Sequence, residues 1–166
     1  MRFASWAVLI LFLTSLQMTW FSVFHSEEAP DFLLMFILLH ALDEGRGRGA
    51  VVGFLLGFLQ DITTFSLFGF YSLTRALVGY VVGASRESVY RDRPLFFVVL
   101  VAIVTLVIKA MYLLVLHFLS GSAVDVAMVI ANSLKCMLWN VACAVPLWLL
   151  YNFIREWLWR RSGRYY

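Results

Sequence analysis

The chain has 166 residues, 63% of them apolar and 14% charged, with a mean hydropathy of +0.87. Soluble domains carry about 45–50% apolar and ~25% charged residues, so this composition excludes a water-facing globule and a soluble enzyme. The net charge of +3 is carried mostly by arginines at the ends of apolar segments, which marks membrane orientation and contact with anionic lipid rather than nucleic-acid binding.

The sequence predicts an all-α integral membrane protein, a single transmembrane domain over residues 1–166 with six spans. The first, 3–24, has no charged residue. Arg2 gives it a basic start, but the apolar stretch is too long for a secretory signal and no A-x-A site follows, so it reads as a retained anchor. Two shorter apolar runs follow, separated by Asp43-Glu44-Gly45-Arg46-Gly47-Arg48-Gly49. A re-entrant hairpin would strand four charges at mid-depth, at about 2.5–3.5 kcal/mol for each Asp or Arg. Two full crossings, 27–44 and 46–63, are the expectation. The remaining spans are 67–84, 95–119 and 126–153, the last containing Pro146.

Ten of the thirteen Lys and Arg residues fall on one side if the N-terminus is cytoplasmic: Arg2, Arg46, Arg48, Arg86, Arg91, Arg93, Arg155, Arg160, Arg161 and Arg164. The opposite connections hold Glu27, Glu28, Asp31, Asp61 and Asp125. Both termini are therefore expected inside, with the tail from Arg155 to Tyr166 at the cytoplasmic interface. Cys136 and Cys143, seven apart on one helix, are too far apart to bridge. His25, His40 and His117 lie on different segments, so no metal site is expected.

Gly49, Gly53, Gly57 and Asp61 recur every four residues, and Gly79 and Gly83 repeat the spacing in the next span. Such bare stripes let helix backbones approach closely in lipid. They are expected either to pack the third helix on the fourth or to receive a helix from a partner. Three cations lie inside spans, Arg75, Lys109 and Lys135, at similar depth in the outer half. Together they cost about 8–10 kcal/mol on an insertion scale. They are expected to face the bundle interior or a hydrated recess, with Asp61 pairing Arg75 and the surplus lysines able to hold a phosphate, a lipid headgroup or another anion. No catalytic constellation and no cofactor motif is present, so no enzymatic activity is expected.

The run Gly53-Phe-Leu-Leu-Gly57-Phe-Leu-Gln-Asp61, with Gly69-Phe-Tyr71 and Leu-Val-Gly79-Tyr-Val-Val-Gly83, resembles the signature region of the rod shape-determining protein MreD family. The resemblance implies a non-catalytic inner-membrane component of the bacterial elongation machinery. Its partner would be the single-span protein MreC and, through it, the actin-like MreB, the SEDS glycosyltransferase and the elongation transpeptidase. It also implies a fold similar to the substrate-binding subunit of energy-coupling-factor transporters. A small-molecule-binding transporter subunit is the competing expectation. An enclosed pocket of about 300 Å³ or more would favour it, and a packed interior with an exposed apolar groove would favour the scaffold.

Overall fold

The computed structural model describes residues 2–23, 29–64, 67–86, 94–120 and 126–161. Six helices follow one another: α1 (Arg2–Val23), α2 (Phe32–Glu44), α3 (Arg46–Thr64), α4 (Phe70–Ala84), α5 (Pro94–Ser120) and α6 (Val126–Arg161). Of these, α5 and α6 contain stretches long and apolar enough to cross a membrane, at Pro94–Leu119 and Ala127–Leu158. The expectations resting on His25, Glu27, Glu28, Arg91, Arg93, Asp125, Arg164, Tyr165 and Tyr166 lie outside the described residues.

The organising element is α2. It has 13 residues, about 20 Å at 1.5 Å per residue, shorter than the ~30 Å hydrocarbon slab. Every residue from Phe32 to Leu39 is buried, as are Ala41 and Leu42. A helix apolar all round must be surrounded by protein; α1, α3, α4 and α6 pack against this one, and α5 lies mainly on α6. The helix expected over 27–44 begins five residues later, at Phe32. Pro30 disfavours helix in the residue before it, and Asp31 is the N-cap, its Oδ1 accepting the Leu34 N–H at 2.9 Å. At the other end Gly45 leaves the helix at φ 87°, and its N–H reaches the Ala41 carbonyl at 2.9 Å.

The surrounding helices each turn one narrow stripe inward. On α1 it is Leu9, Leu13 and Gln17; on α5 it is Phe97, Val101, Val104, Thr105 and Ile108; on α6 it is Cys136, Asn140, Ala144, Leu147 and Tyr151. These spacings of three and four place each set on one helical face. The outward faces are equally apolar: Leu11, Leu73, Leu95, Phe118 and Phe153 are all more than 65% exposed. In water such a surface would aggregate; against lipid tails it is solvated. The sixth helix continues through Pro146 to Arg161, eight residues beyond the expected end of the last span.

Candidate functional site

The glycine stripes lie face to face. A Cβ built on Gly49 would come 2.6 Å from the Gly79 carbonyl oxygen and 2.7 Å from the Ala41 Cβ. On Gly53 it would meet the Arg75 carbonyl carbon at 2.8 Å, on Gly57 the Ser72 Cα at 2.7 Å, and on Gly83 the Arg46 backbone nitrogen at 2.6 Å. Gly79 in turn presses on the Gly49 backbone. Real Cβ atoms do not come this close to a neighbouring backbone, so the seam from Gly83 to Gly57 is sealed by α3 and α4 themselves. Each of the five glycines is in contact within the chain.

Asp61 closes the same seam at its far end. Its carboxylate accepts the N–H groups of Tyr71 at 3.0 Å and Ser72 at 2.9 Å, and the Ser72 hydroxyl. These N–H groups belong to the first turn of α4, whose own N-cap is Gly69 at φ 91°, with no side chain to offer. Asp61 thus serves as a cap supplied from another helix, where the helix dipole favours an anion. Asp61→Ala is expected to destabilise the fold by about 1–2 kcal/mol and Asp61→Asn by less, since an amide oxygen still accepts; a detergent-solution unfolding curve checks this. Equal loss in both variants would show that charge, not capping, is the contribution.

The expected ion pair between Asp61 and Arg75 does not form. Arg75 pairs with Asp31, 44 residues earlier, through Nη2 and Oδ2. Asp61 already has three donors, and Arg75 lies one turn further along α4, at the level of the buried start of α2. The guanidinium is 1% exposed and stacks over the Tyr71 ring at 5.4 Å.

Around this pair the start of α2 is held entirely by side chains. The Asp31 N–H donates to Asn140 Oδ1 at 2.7 Å, and the Leu33 N–H donates to Gln17 Oε1 at 3.3 Å. Asn140 Nδ2 donates to Thr105 Oγ1 at 2.8 Å, and Cys136 Sγ donates to the Ala29 carbonyl at 3.3 Å. Unpaired backbone N–H groups at membrane depth would cost several kcal/mol each. Gln17 of α1, Arg75 of α4, and Cys136 and Asn140 of α6, the last backed by Thr105 of α5, therefore hold the start of this helix. The other end is fixed by Asp43, which accepts from the Tyr151 hydroxyl at 3.3 Å and from Arg155 Nη1 at 3.2 Å, both on α6. Of these residues, the sequence reading placed Asp31 in an outer connection and did not single out Gln17 or Asn140. A polar side chain at mid-span is itself the signal that could have found them.

The three cations expected inside spans separate. Arg75 is buried in its pair, Lys109 is half-buried on the wall of a polar cavity, and Lys135 lies exposed on α6. Among the described residues, the three do not line one shared recess. Lys135 precedes the inward-facing Cys136 by one residue, about 100° around the helix, and so falls on the outer face, where a lysine stem can carry its ammonium toward the surface. The cavity measures about 50 Å³, with Gln17, Asp31, Gln60, Thr105, Lys109 and Asn140 in its wall. On the outside, α1 and α6 leave an apolar groove of about 620 Å³ between Val8, Phe12, Leu150, Phe153 and Trp157.

Compared with known proteins, residues 1–156 match the sequence model of a family described as rod shape-determining protein MreD. No curated protein and no solved structure matches the chain.

Proposed function

The chain belongs to the MreD family of rod shape-determining proteins, and on that premise we propose that it is a non-catalytic scaffold of the bacterial cell-elongation complex. In this reading it sits in the inner membrane as a six-span bundle with both termini cytoplasmic. It binds the single span of MreC and thereby helps to position MreB and the peptidoglycan synthases, the SEDS glycosyltransferase and the elongation transpeptidase.

The observation that carries the reading is the contrast between interior and surface. Among the described residues the glycine seam is filled by backbone, and the polar cavity, about 50 Å³, is far below the 300–1,000 Å³ of ordinary small-molecule pockets. That favours the scaffold over a transporter's binding subunit. The surface offers the groove between α1 and α6, apolar along its length and separate from the sealed α3–α4 seam. A transmembrane helix of a partner is the occupant whose chemistry matches, since helices associate in lipid through packing of complementary faces.

Depletion of the protein is expected to round rod-shaped cells, with shape restored by the wild-type chain. Val8→Trp, which fills the groove from an exposed position, is expected to keep wild-type protein levels while lowering recovery of co-expressed MreC by about tenfold, equivalent to about 1.4 kcal/mol. Unchanged recovery would move the partner to another face, and normal rod shape on depletion would overturn the role.

A further inference from the structure

Two buried glutamines line the polar cavity, each with one amide atom that no protein group meets. Among the described residues, Gln17 Nε2 is a donor and Gln60 Oε1 an acceptor without a hydrogen-bond partner, on residues 0% and 3% exposed. The Gln17 orientation is set, because its Oε1 accepts the Leu33 N–H and a flipped amide would lose that bond. The two side chains reach the cavity from helices that share little direct contact, since α1 packs mainly on α2, and α3 on α4 and α2.

The rest of the wall has spare capacity of both kinds. Thr105 Oγ1, on α5, accepts from Asn140 Nδ2, and its hydroxyl proton is a further donor. The Asp31 carboxylate receives the Leu34 N–H and the Arg75 guanidinium, and a carboxylate has room for about four donors. A metal ion would answer only the acceptors and an anion only the donors. Water answers both. Apolar cavities stay dry, whereas a polar one that offers two to four partners is hydrated. About 50 Å³ gives space for roughly two to four waters.

We infer that the cavity is a hydration site, in which a small cluster of waters links Gln17 of α1 to Gln60 of α3. The waters accept from Gln17 Nε2 and the Thr105 hydroxyl, and donate to Gln60 Oε1 and the Asp31 carboxylate. The cluster thus supplies hydrogen bonds between helices that pack elsewhere. It also leaves the Asp31–Arg75 pair partly solvated within an apolar shell, which lowers the cost of burying the two charges. The site is independent of the scaffold role and stands or falls separately from it.

The test is water–protein cross-relaxation, measured by NMR on the full, isotope-labelled chain in detergent micelles. The Gln17 side-chain amide is expected to show a cross-peak to water with the sign of a bound molecule rather than of proton exchange. The Leu38 N–H, in the fully buried middle of α2, is expected to show none. In Gln60→Met, which removes the acceptor at nearly the same side-chain length, the Gln17 cross-peak is expected to weaken by about twofold or more, because the waters lose a partner. No such cross-peak in folded wild-type protein would show a dry cavity and overturn the inference, whatever the variant does. A cross-peak undiminished in folded Gln60→Met would remove the link to α3 and overturn it equally.

Discussion

Gly53→Leu and Gly57→Leu are each expected to prevent the α3–α4 pair from forming, with a loss of about 3 kcal/mol or more. At both positions the first atom of a side chain already meets backbone, at Arg75 and at Ser72 respectively, and backbone has no alternative rotamer to retreat into. The helices must separate, and doing so displaces Asp61 from the first turn of α4 and Arg75 from Asp31. Gly47→Leu supplies the control. It lies on the same helix, but a Cβ there meets nothing within 4 Å, and replacing a helical glycine gains up to about 1 kcal/mol in propensity. The yield of monodisperse protein and its thermal midpoint measure both. Normal stability of Gly53→Leu, or collapse of Gly47→Leu, would contradict a sealed seam.

Arg75→Met is expected to cost about 3–5 kcal/mol, because it leaves the Asp31 carboxylate at membrane depth without its counter-ion. The double variant Asp31→Asn/Arg75→Met should recover a large part of that loss, since asparagine still caps α2 and no charge remains to be neutralised. Asp61→Asn/Arg75→Met should recover none, because the Asp61 carboxylate faces the N–H groups of α4 rather than the guanidinium. A double-mutant cycle on unfolding free energies distinguishes the two acids. Coupling of Arg75 to Asp61 rather than to Asp31 would show that the interior is arranged differently.

These two expectations mark where sequence and structure part. The α3–α4 seam is legible because its signal is local: glycines four apart on each of two successive helices can meet once the short connection folds back. The partner of Arg75 is not legible in that way. Asp61 is the acid on the neighbouring helix, whereas Asp31 lies 44 residues away, and only the three-dimensional placement of α2 brings it to the guanidinium. One local cue was present, however. Pro30-Asp31 ahead of Phe32-Leu33-Leu34 has the form of a capped helix start, and the structure places that N-terminus among side chains of α1 and α6.

The same placement separates the cations. Depth along a helix, which sequence supplies, brings Arg75, Lys109 and Lys135 together; rotation about its axis, set by which stripe of α6 meets α2, turns Lys135 away from the cavity. Gln17 and Asn140 do not stand out from their sequence neighbours because their helices carry other polar residues, Thr14 and Ser15 on one and Asn132 and Ser133 on the other. Their importance follows from the N–H groups at the start of α2 that they satisfy. Each polar side chain then answers to a specific backbone N–H.

The groove between α1 and α6 is the most direct point of attack on the scaffold reading. A photo-crosslinking residue placed at Phe12 or Phe153, both groove-lining and exposed, is expected to yield an adduct with the span of MreC in living cells. The same residue at Ile103 or Leu106, on the outward face of α5, is expected to yield none. Adducts from α5 with none from the groove would contradict the account.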